Sequence, residues 1–233
     1  MSVRIATLLV DDHVVVRKAL AALLRPFEDI EVVGEAGDGR EALARARELA
    51  PDVVLMDLML PVLDGVGATR ALTESKAGPH VVVLSCAGLD KVLEAVRAGA
   101  TGYVPKSATA EELVRALRSV NRGEPWLPPA FTRRLLESWG GKAAPVHELT
   151  RRETAVLRLV AQGFSNDAIG VRLSISEATV RTHLTRVFDK IGAVNRVEAT
   201  LIALRDGVTT VEQCLEAREN LGQLSQPAVS RHA

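Results

Sequence analysis

The segment Asp52-Val53-Val54-Leu55-Met56-Asp57 sets four consecutive apolar residues between two aspartates. A strand with one wet face alternates apolar and polar side chains. An unbroken run of this length suits a strand covered on both faces, as in a parallel sheet between two helical layers. Working outward, Ile5–Val10, Glu31–Gly34, Val81–Leu84 and Gly102–Val104 are further short runs rich in β-branched residues. Between them, Val14–Leu24, Gly39–Leu49, Val66–Leu72, Leu89–Ala98 and Ala110–Arg122 carry helical spacing. Five strand–helix alternations predict an α/β domain, a doubly wound five-stranded parallel sheet with helices on both faces.

The pattern then changes. Gly123-Glu-Pro-Trp-Leu-Pro-Pro129 and Gly140-Gly-Lys-Ala-Ala-Pro145 bracket an amphipathic stretch, Phe131–Trp139, which reads as a linker carrying a helix. Beyond it the chain is helical throughout. Thr150-Arg-Arg-Glu153 is a capping box opening a helix to about Ala161. Ser165 or Asn166 caps the next helix through Leu173, Ser176 caps a third to about Ile191, and a fourth runs over Arg196–Arg205. After Gly207 the chain turns polar and is expected to fray and be largely flexible, with Val211–Leu221 able to form one more helix. The expected organisation is a first domain over 1–123, a linker over 124–146, an all-α helix-turn-helix domain over 147–206 and an extension over 207–233.

At 233 residues the chain is long enough for two ordinary domains. It is 47% apolar and 25% charged, as for soluble globular protein, and its net charge is zero. The charge is unevenly placed. Residues 1–125 hold 15 basic and 18 acidic side chains, a net of −3, and residues 126–206 hold 12 and 8, a net of +4. An acidic front and a basic back fit a cation site followed by a module for a polyanion. Cys86 and Cys214 fit neither a zinc spacing nor a disulfide framework, and Cys86 reads as a small buried residue rather than a redox sensor. No secretory signal precedes Ile5 and no apolar run approaches the ~18 residues of a membrane span, so a cytoplasmic protein with no membrane partner is expected.

In an open α/β sheet the loops at the carboxyl ends of the strands build the site. Here they deliver Asp11 and Asp12 after the first strand, Asp57 after the third, Ser85 after the fourth and Lys106 after the fifth. Close carboxylates need a cation among them, and Mg²⁺ is the natural choice. Asp57 is the candidate nucleophile toward a phosphoryl group, with Asp11 and Asp12 as the metal-holding pair. Lys106 and the Ser85 hydroxyl would neutralise the developing charge. A lone aspartate after a strand is usually a turn or cap residue, and the five residues together change that reading.

In the second half, Val180, Leu184, Val187 and Ile191 form the apolar stripe of the third helix. Arg181, Thr182, Thr185 and Arg186 form its other face and suit a recognition helix in the major groove. Ser165, Asn166, Ser176 and Thr179 sit at helix N-termini, where hydroxyls and N–H groups favour DNA phosphates.

Val10-Asp-Asp-His13, Met56-Asp57-Leu58, Leu60-Pro61 with Asp64-Gly65, Leu84-Ser85 and Ala98-Gly-Ala-Thr-Gly-Tyr103 with Lys106 resemble the flavodoxin-like receiver domains of two-component systems, in particular the NarL/FixJ subfamily. Leu149-Thr-Arg-Arg-Glu153, Ala161-Gln-Gly-Phe-Ser-Asn166, Ile175-Ser176, Thr179-Val180, His183-Leu184 and Lys190-Ile191 resemble the LuxR-type helix-turn-helix. The resemblance covers about residues 3–123 and 147–206. It implies a response regulator whose Asp57 takes a phosphoryl group from a sensor histidine kinase, with no enzymatic activity beyond assisting its own phosphorylation and dephosphorylation. Asp12, Asp57 and the Met59 carbonyl would ligate Mg²⁺, with Asp11 acting through water. Lys106 would pair with the phosphoryl group, Ser85 would hydrogen-bond it, and Tyr103 would be the aromatic that swings as Ser85 moves. Arg181, Thr182 and Thr185 would face the bases of double-stranded DNA. The last helix, through Val197, Leu201 and Leu204, would pair in a homodimer on a two-fold operator.

The chain departs from the family pattern in two places. Met59-Leu60-Pro61-Val62-Leu63 replaces the usual polar-Met-Pro-Gly-Met run, so the Met59 carbonyl is assigned by position, and Cys86-Ala-Gly-Leu-Asp90 is one residue short. The alternative is an orphan DNA-binding regulator acting without phosphorylation, through ligand or protein contact. A haloacid-dehalogenase-like phosphotransferase would need a second acid where Met59 stands and a cap domain. A purely structural module explains neither the carboxylates nor the basic helix.

Overall fold

The computed structural model describes residues 4–74, 78–138 and 149–224, with the side chains of 135–138 and 218–224 outside that description. The Gly140–Pro145 stretch, Trp139 and the end of the tail lie outside the described residues. The chain divides into two units, one formed by residues up to Phe131 with Val194–Glu198, the other by Thr132–Ala193 with the residues from Ala199 onward.

The first unit is a five-stranded parallel sheet in the order β2-β1-β3-β4-β5. The strands are β1 (Ile5–Val10), β2 (Ile30–Ala36), β3 (Val53–Met56), β4 (His80–Ser85) and β5 (Gly102–Pro105). The helices alternating with them are α1 (Val14–Leu24), α2 (Gly39–Leu49), α3 (Gly65–Thr73), α4 (Leu89–Arg97) and α5 (Ala110–Asn121). The apolar run of β3 is continuous because both faces are covered. Val53 and Leu55 pack with Leu9, Leu24, Val82, Leu113 and Leu117 on the α1/α5 side. Val54 and Met56 pack with Leu8, Ala42, Ala46, Ala68 and Leu72 on the α2/α3 side. Each such side chain contributes roughly 1.5–3 kcal/mol by leaving water. Strand β2 is longer at both ends than its sequence suggests, because Ile30 and Ala36 still pair with Ile5 and Val10.

Pro105, which cannot donate to a ladder, is tolerated because β5 is the last strand in the order. The outer side of β5 is nevertheless partly covered. The Trp126 carbonyl accepts from the Tyr103 N–H at 2.8 Å, and the Trp126 N–H donates to Thr101 O at 3.2 Å. Segment 124–127, read from sequence as linker, thus begins as an appendage of the sheet.

The loop from β3 to α3 carries backbone strain. Gly65 is required there, since a Cβ would lie 2.0 Å from the Asp57 carbonyl oxygen. Val62 has φ +66°, and Leu63 N donates to Pro61 O at 2.7 Å, a tight three-residue turn with a β-branched residue on the left-handed side. Val62 is 76% exposed, so no packing offsets this. We expect Val62→Gly to stabilise this unit by about 1 kcal/mol, relief of strain outweighing the chain entropy of glycine. A urea midpoint that fell would contradict the reading.

After the sheet come α6 (Pro129–Ser138), α7 (Arg151–Ala161), α8 (Asn166–Leu173), α9 (Glu177–Ile191), α10 (Arg196–Arg205) and α11 (Val211–Leu224); the first turn of α6 and the start of α10 belong to the first unit and the rest to the second. The tail expected to fray after Gly207 forms α11, the longer version of the helix that its sequence allowed. Ser165, not Asn166, caps α8, accepting from Ala168 N. The turn between α8 and α9 passes close over Gly170, whose Cβ would lie 2.7 Å from Ile175 O.

The Thr150–Glu153 capping box forms as expected, and Lys190 of α9 adds a bond to Glu153 at 2.8 Å. That ammonium, with the Thr150 N–H and hydroxyl, holds the Glu153 carboxyl down at about 2, against an ordinary 4.5. A depressed carboxyl stabilises the fold fully above its unfolded value and loses that contribution as pH falls through the folded one. The helical unit should therefore weaken between pH about 4.5 and about 2. Glu153→Gln should flatten that dependence in circular dichroism of acid unfolding, and an unchanged slope would rule it out.

Candidate phosphorylation site and DNA interface

The strand order reverses direction between β1 and β3, and the crevice outside their carboxyl ends is where ligands bind in such sheets. Asp57 N donates to Val10 O at 2.9 Å, which fixes Asp57 beside the end of β1. Lys106 follows β5, its N–H bonded to Ser85 O at 3.3 Å. Its Nζ donates to Asp11 Oδ2 and to Asp57 Oδ2, each at 2.6 Å. Asp57 Oδ1 accepts from Leu58 N at 2.7 Å, from Ser85 Oγ at 3.2 Å and from Met59 N at 3.3 Å. Asp57 is 3% exposed and Asp11 1%. Burial works against the charge of Lys106, but the Asp11 and Asp57 carboxylates outweigh it and hold the ammonium above its ordinary value.

Asp12 has one carboxylate oxygen 2.7 Å from His13 Nδ1, which also lies 3.4 Å from Asp11 Oδ1. Ligand atoms of Asp11, Asp12 and His13 lie within 4.8 Å of one another. Three carboxylates against one ammonium leave net negative charge among hard oxygen donors, a set that fits Mg²⁺ better than a thiophilic metal. Tyr103, 7% exposed, directs its hydroxyl to Ser85 O at 3.5 Å. The five residues expected at the strand ends are therefore brought together with Tyr103: Lys106 joins Asp11 to Asp57, Ser85 bonds Asp57, and Asp12 meets Asp11 at His13.

Three neighbours carried no sequence signal strong enough to single them out. Arg17 donates from Nη1 to Asp11 O at 2.7 Å and from Nε to Glu35 at 3.1 Å, bracing the loop from behind. Lys18 holds the Glu35 carboxyl below its ordinary range against the opposing effect of burial, and Arg17 adds a smaller lowering contribution. Lys91, in the first turn of α4, places Nζ 3.3 Å from Met59 Sδ. Their partners lie on other strands and loops, so only the fold reveals them. Cys86, next to Ser85, is exposed, contrary to its reading as a buried residue.

On α9, Val180, Leu184, Val187 and Ile191 are buried and Arg181, Thr182, Thr185 and Arg186 exposed. Arg181 pairs with Glu177 at 2.7 Å, and the Thr182 and Thr185 hydroxyls donate to Ala178 O and Arg181 O. Ser176 caps α9 by accepting from Thr179 N at 3.1 Å, with the two hydroxyl oxygens 2.8 Å apart, and Asn166 is half-buried at the start of α8. The residues expected at a dimer interface are not exposed: Val197 and Leu201 are fully buried and Leu204 half-buried. No helix among the described residues is long and apolar enough to cross a membrane.

Residues 7–118 match the response regulator receiver domain family, and residues 147–203 match the bacterial regulatory proteins of the luxR family. The chain is 40% identical over 206 residues to the transcriptional regulatory protein LiaR of Bacillus subtilis, covering 87% of this chain and 98% of LiaR. It is 36% identical over 202 residues to the response regulator VraR of Staphylococcus aureus, covering 86% and 97%. Among solved structures, the response regulator ChrA of a heme-sensing two-component system aligns with a TM-score of 0.50 at 35% identity, over 88% of this chain and 99% of that one. A LuxR-family two-component response regulator from Aurantimonas sp. SI85-9A1 aligns with a TM-score of 0.54 at 35% identity, over 57% and 96%. A receiver followed by a LuxR-type helix-turn-helix, matched along nearly the whole length of such relatives, places this chain in the NarL/LuxR family of two-component response regulators, a family of transcription regulators.

Proposed function

We propose that Asp57 accepts a phosphoryl group from a sensor histidine kinase, and that the charge placed there controls dimerisation and sequence-specific DNA binding by α9 in the cytoplasm. The observation that carries this is the fork of Lys106 between Asp11 and Asp57, with Ser85 on the other oxygen of Asp57. A buried carboxylate so held already has an ammonium and a hydroxyl beside it for oxygens that a phosphoryl group would add. An Asp57 oxygen bonds to phosphorus as the bond from phosphorus to the kinase imidazole nitrogen breaks. The imidazole leaves neutral, its other nitrogen holding the proton. Asp12, Asp57 and the Met59 carbonyl would hold Mg²⁺, with Asp11 acting through water; the ion, when bound, neutralises charge on the phosphoryl oxygens. Lys106 then follows the new oxygens, and Ser85 turns its hydroxyl toward them.

The exposed apolar residues Val14 and Val15 at the start of α1, with Met59 and Val62 after β3, border the same strand ends. They offer a rim for the kinase to cover. In the second unit, Arg181, Thr182, Thr185 and Arg186 would read the major groove while Ser165, Asn166, Ser176 and Thr179 hold phosphates. The homodimer would form through Val197, Leu201 and Leu204, and dimerisation is the step that phosphorylation controls. Operator affinity of the full chain, measured with and without acetyl phosphate and Mg²⁺ at fixed salt, should rise at least about tenfold on phosphorylation. An affinity indifferent to phosphate would favour the orphan regulator acting through ligand or protein contact.

A further inference from the structure

Tyr103 is held from two sides. Its hydroxyl reaches Ser85 O at 3.5 Å, and Ser85 Oγ in turn donates to Asp57 Oδ1 at 3.2 Å. On its other side the ring meets Phe131, with centroids 4.4 Å apart and planes inclined at 44°. Phe131 stands in the first turn of α6. The chain leading to it is pinned by backbone bonds from Glu124 N to Ser119 O and by the pairing of Trp126 with Thr101 and Tyr103, and Leu127 is buried. Because the Tyr103 N–H is fixed to Trp126 O, the ring can respond to Ser85 only through its side-chain torsions. Any such rotation changes the contact with Phe131.

We infer that Phe131 is a positioning residue for the chemistry at Asp57: its ring holds Tyr103, and through it Ser85, in the unphosphorylated arrangement, and phosphorylation frees the first turn of α6 from that contact. The inference rests on the reading of Asp57 as phosphoacceptor. By linkage, what the phosphoryl group does to the ring contact, the ring contact does to phosphoryl binding. Ring pairs of this geometry correspond to roughly a two- to tenfold effect on an equilibrium.

The chain contains a single tyrosine, so fluorotyrosine labelling of the full chain gives one fluorine resonance, that of Tyr103. Titration with beryllofluoride and Mg²⁺ should move that resonance in the wild type. Phe131→Ala should shift the free-state resonance toward the bound position and tighten beryllofluoride binding roughly two- to tenfold. Phe131→Leu, which keeps apolar bulk and removes the ring, should do the same, and Phe131→Trp should restore the wild-type midpoint. Equal midpoints for wild type, Phe131→Ala and Phe131→Leu overturn the inference, as does binding that leaves the resonance unmoved; both leave Asp57 as phosphoacceptor intact. Failure of the wild type to bind beryllofluoride overturns the phosphoacceptor reading and this inference with it.

Discussion

Asp57→Asn takes up no phosphoryl group from acetyl phosphate in the presence of Mg²⁺, a loss of at least about a thousandfold relative to wild type. The substitution preserves shape. An amide oxygen at the Oδ1 position can still accept from Leu58 N, Ser85 Oγ and Met59 N. At the Oδ2 position, however, an NH₂ group would face the Lys106 ammonium, donor against donor, and leave Lys106 with Asp11 alone. The anionic nucleophile and its charge partner are lost together while the backbone has no reason to move. Intact mass spectrometry reads the outcome directly, and uptake undiminished by the substitution would sink the assignment. Genome-wide DNA pull-down with wild type and Asp57→Asn would then give the operator and its phosphate dependence in one comparison.

Arg181→Ala should weaken binding to the preferred operator by about 1–3 kcal/mol per half-site, or roughly 5- to 150-fold, and relax preference at one base position. Among the described residues the Arg181 guanidinium is engaged with Glu177, an exposed pair one helical turn away. Such pairs contribute little to stability, so its exchange for a base edge costs little and the variant should unfold at the wild-type midpoint. Competition binding against operators varied base by base, at one salt concentration, separates the roles. A loss of affinity that is uniform across sequences would make Arg181 a phosphate contact instead. Thr182 and Thr185 already satisfy their hydroxyl donors on the α9 backbone, so what they present outward is a methyl and a spare acceptor.

Much of this was legible in the chain because the signals are local. The doubly covered β3 announces itself as Val53–Met56 without polar interruption. The Thr150–Glu153 capping box is a four-residue pattern whose two bonds form as written, and the apolar stripe of α9 is buried as its spacing requires. The caps were less legible. Ser165 and Asn166 carry equivalent cap chemistry, and only the backbone geometry at Ser165, with its bond from Ala168 N, separates them.

Sequence by itself determined the strand–helix alternation, the placing of Asp11, Asp12, Asp57, Ser85 and Lys106 at strand ends, and the amphipathic helix bearing Arg181, because these follow from residue periodicity and short-range chemistry. The tertiary structure decided what depends on partners far along the chain. It linked the carboxylates in a chain, with Lys106 between Asp57 and Asp11 and His13 between Asp11 and Asp12. It turned Cys86 outward, buried Val197 and Leu201, and set Phe131 against Tyr103. Each of these is fixed by packing between segments that no local pattern relates, since the free energy of a side chain's neighbourhood belongs to the fold and not to its place in the sequence.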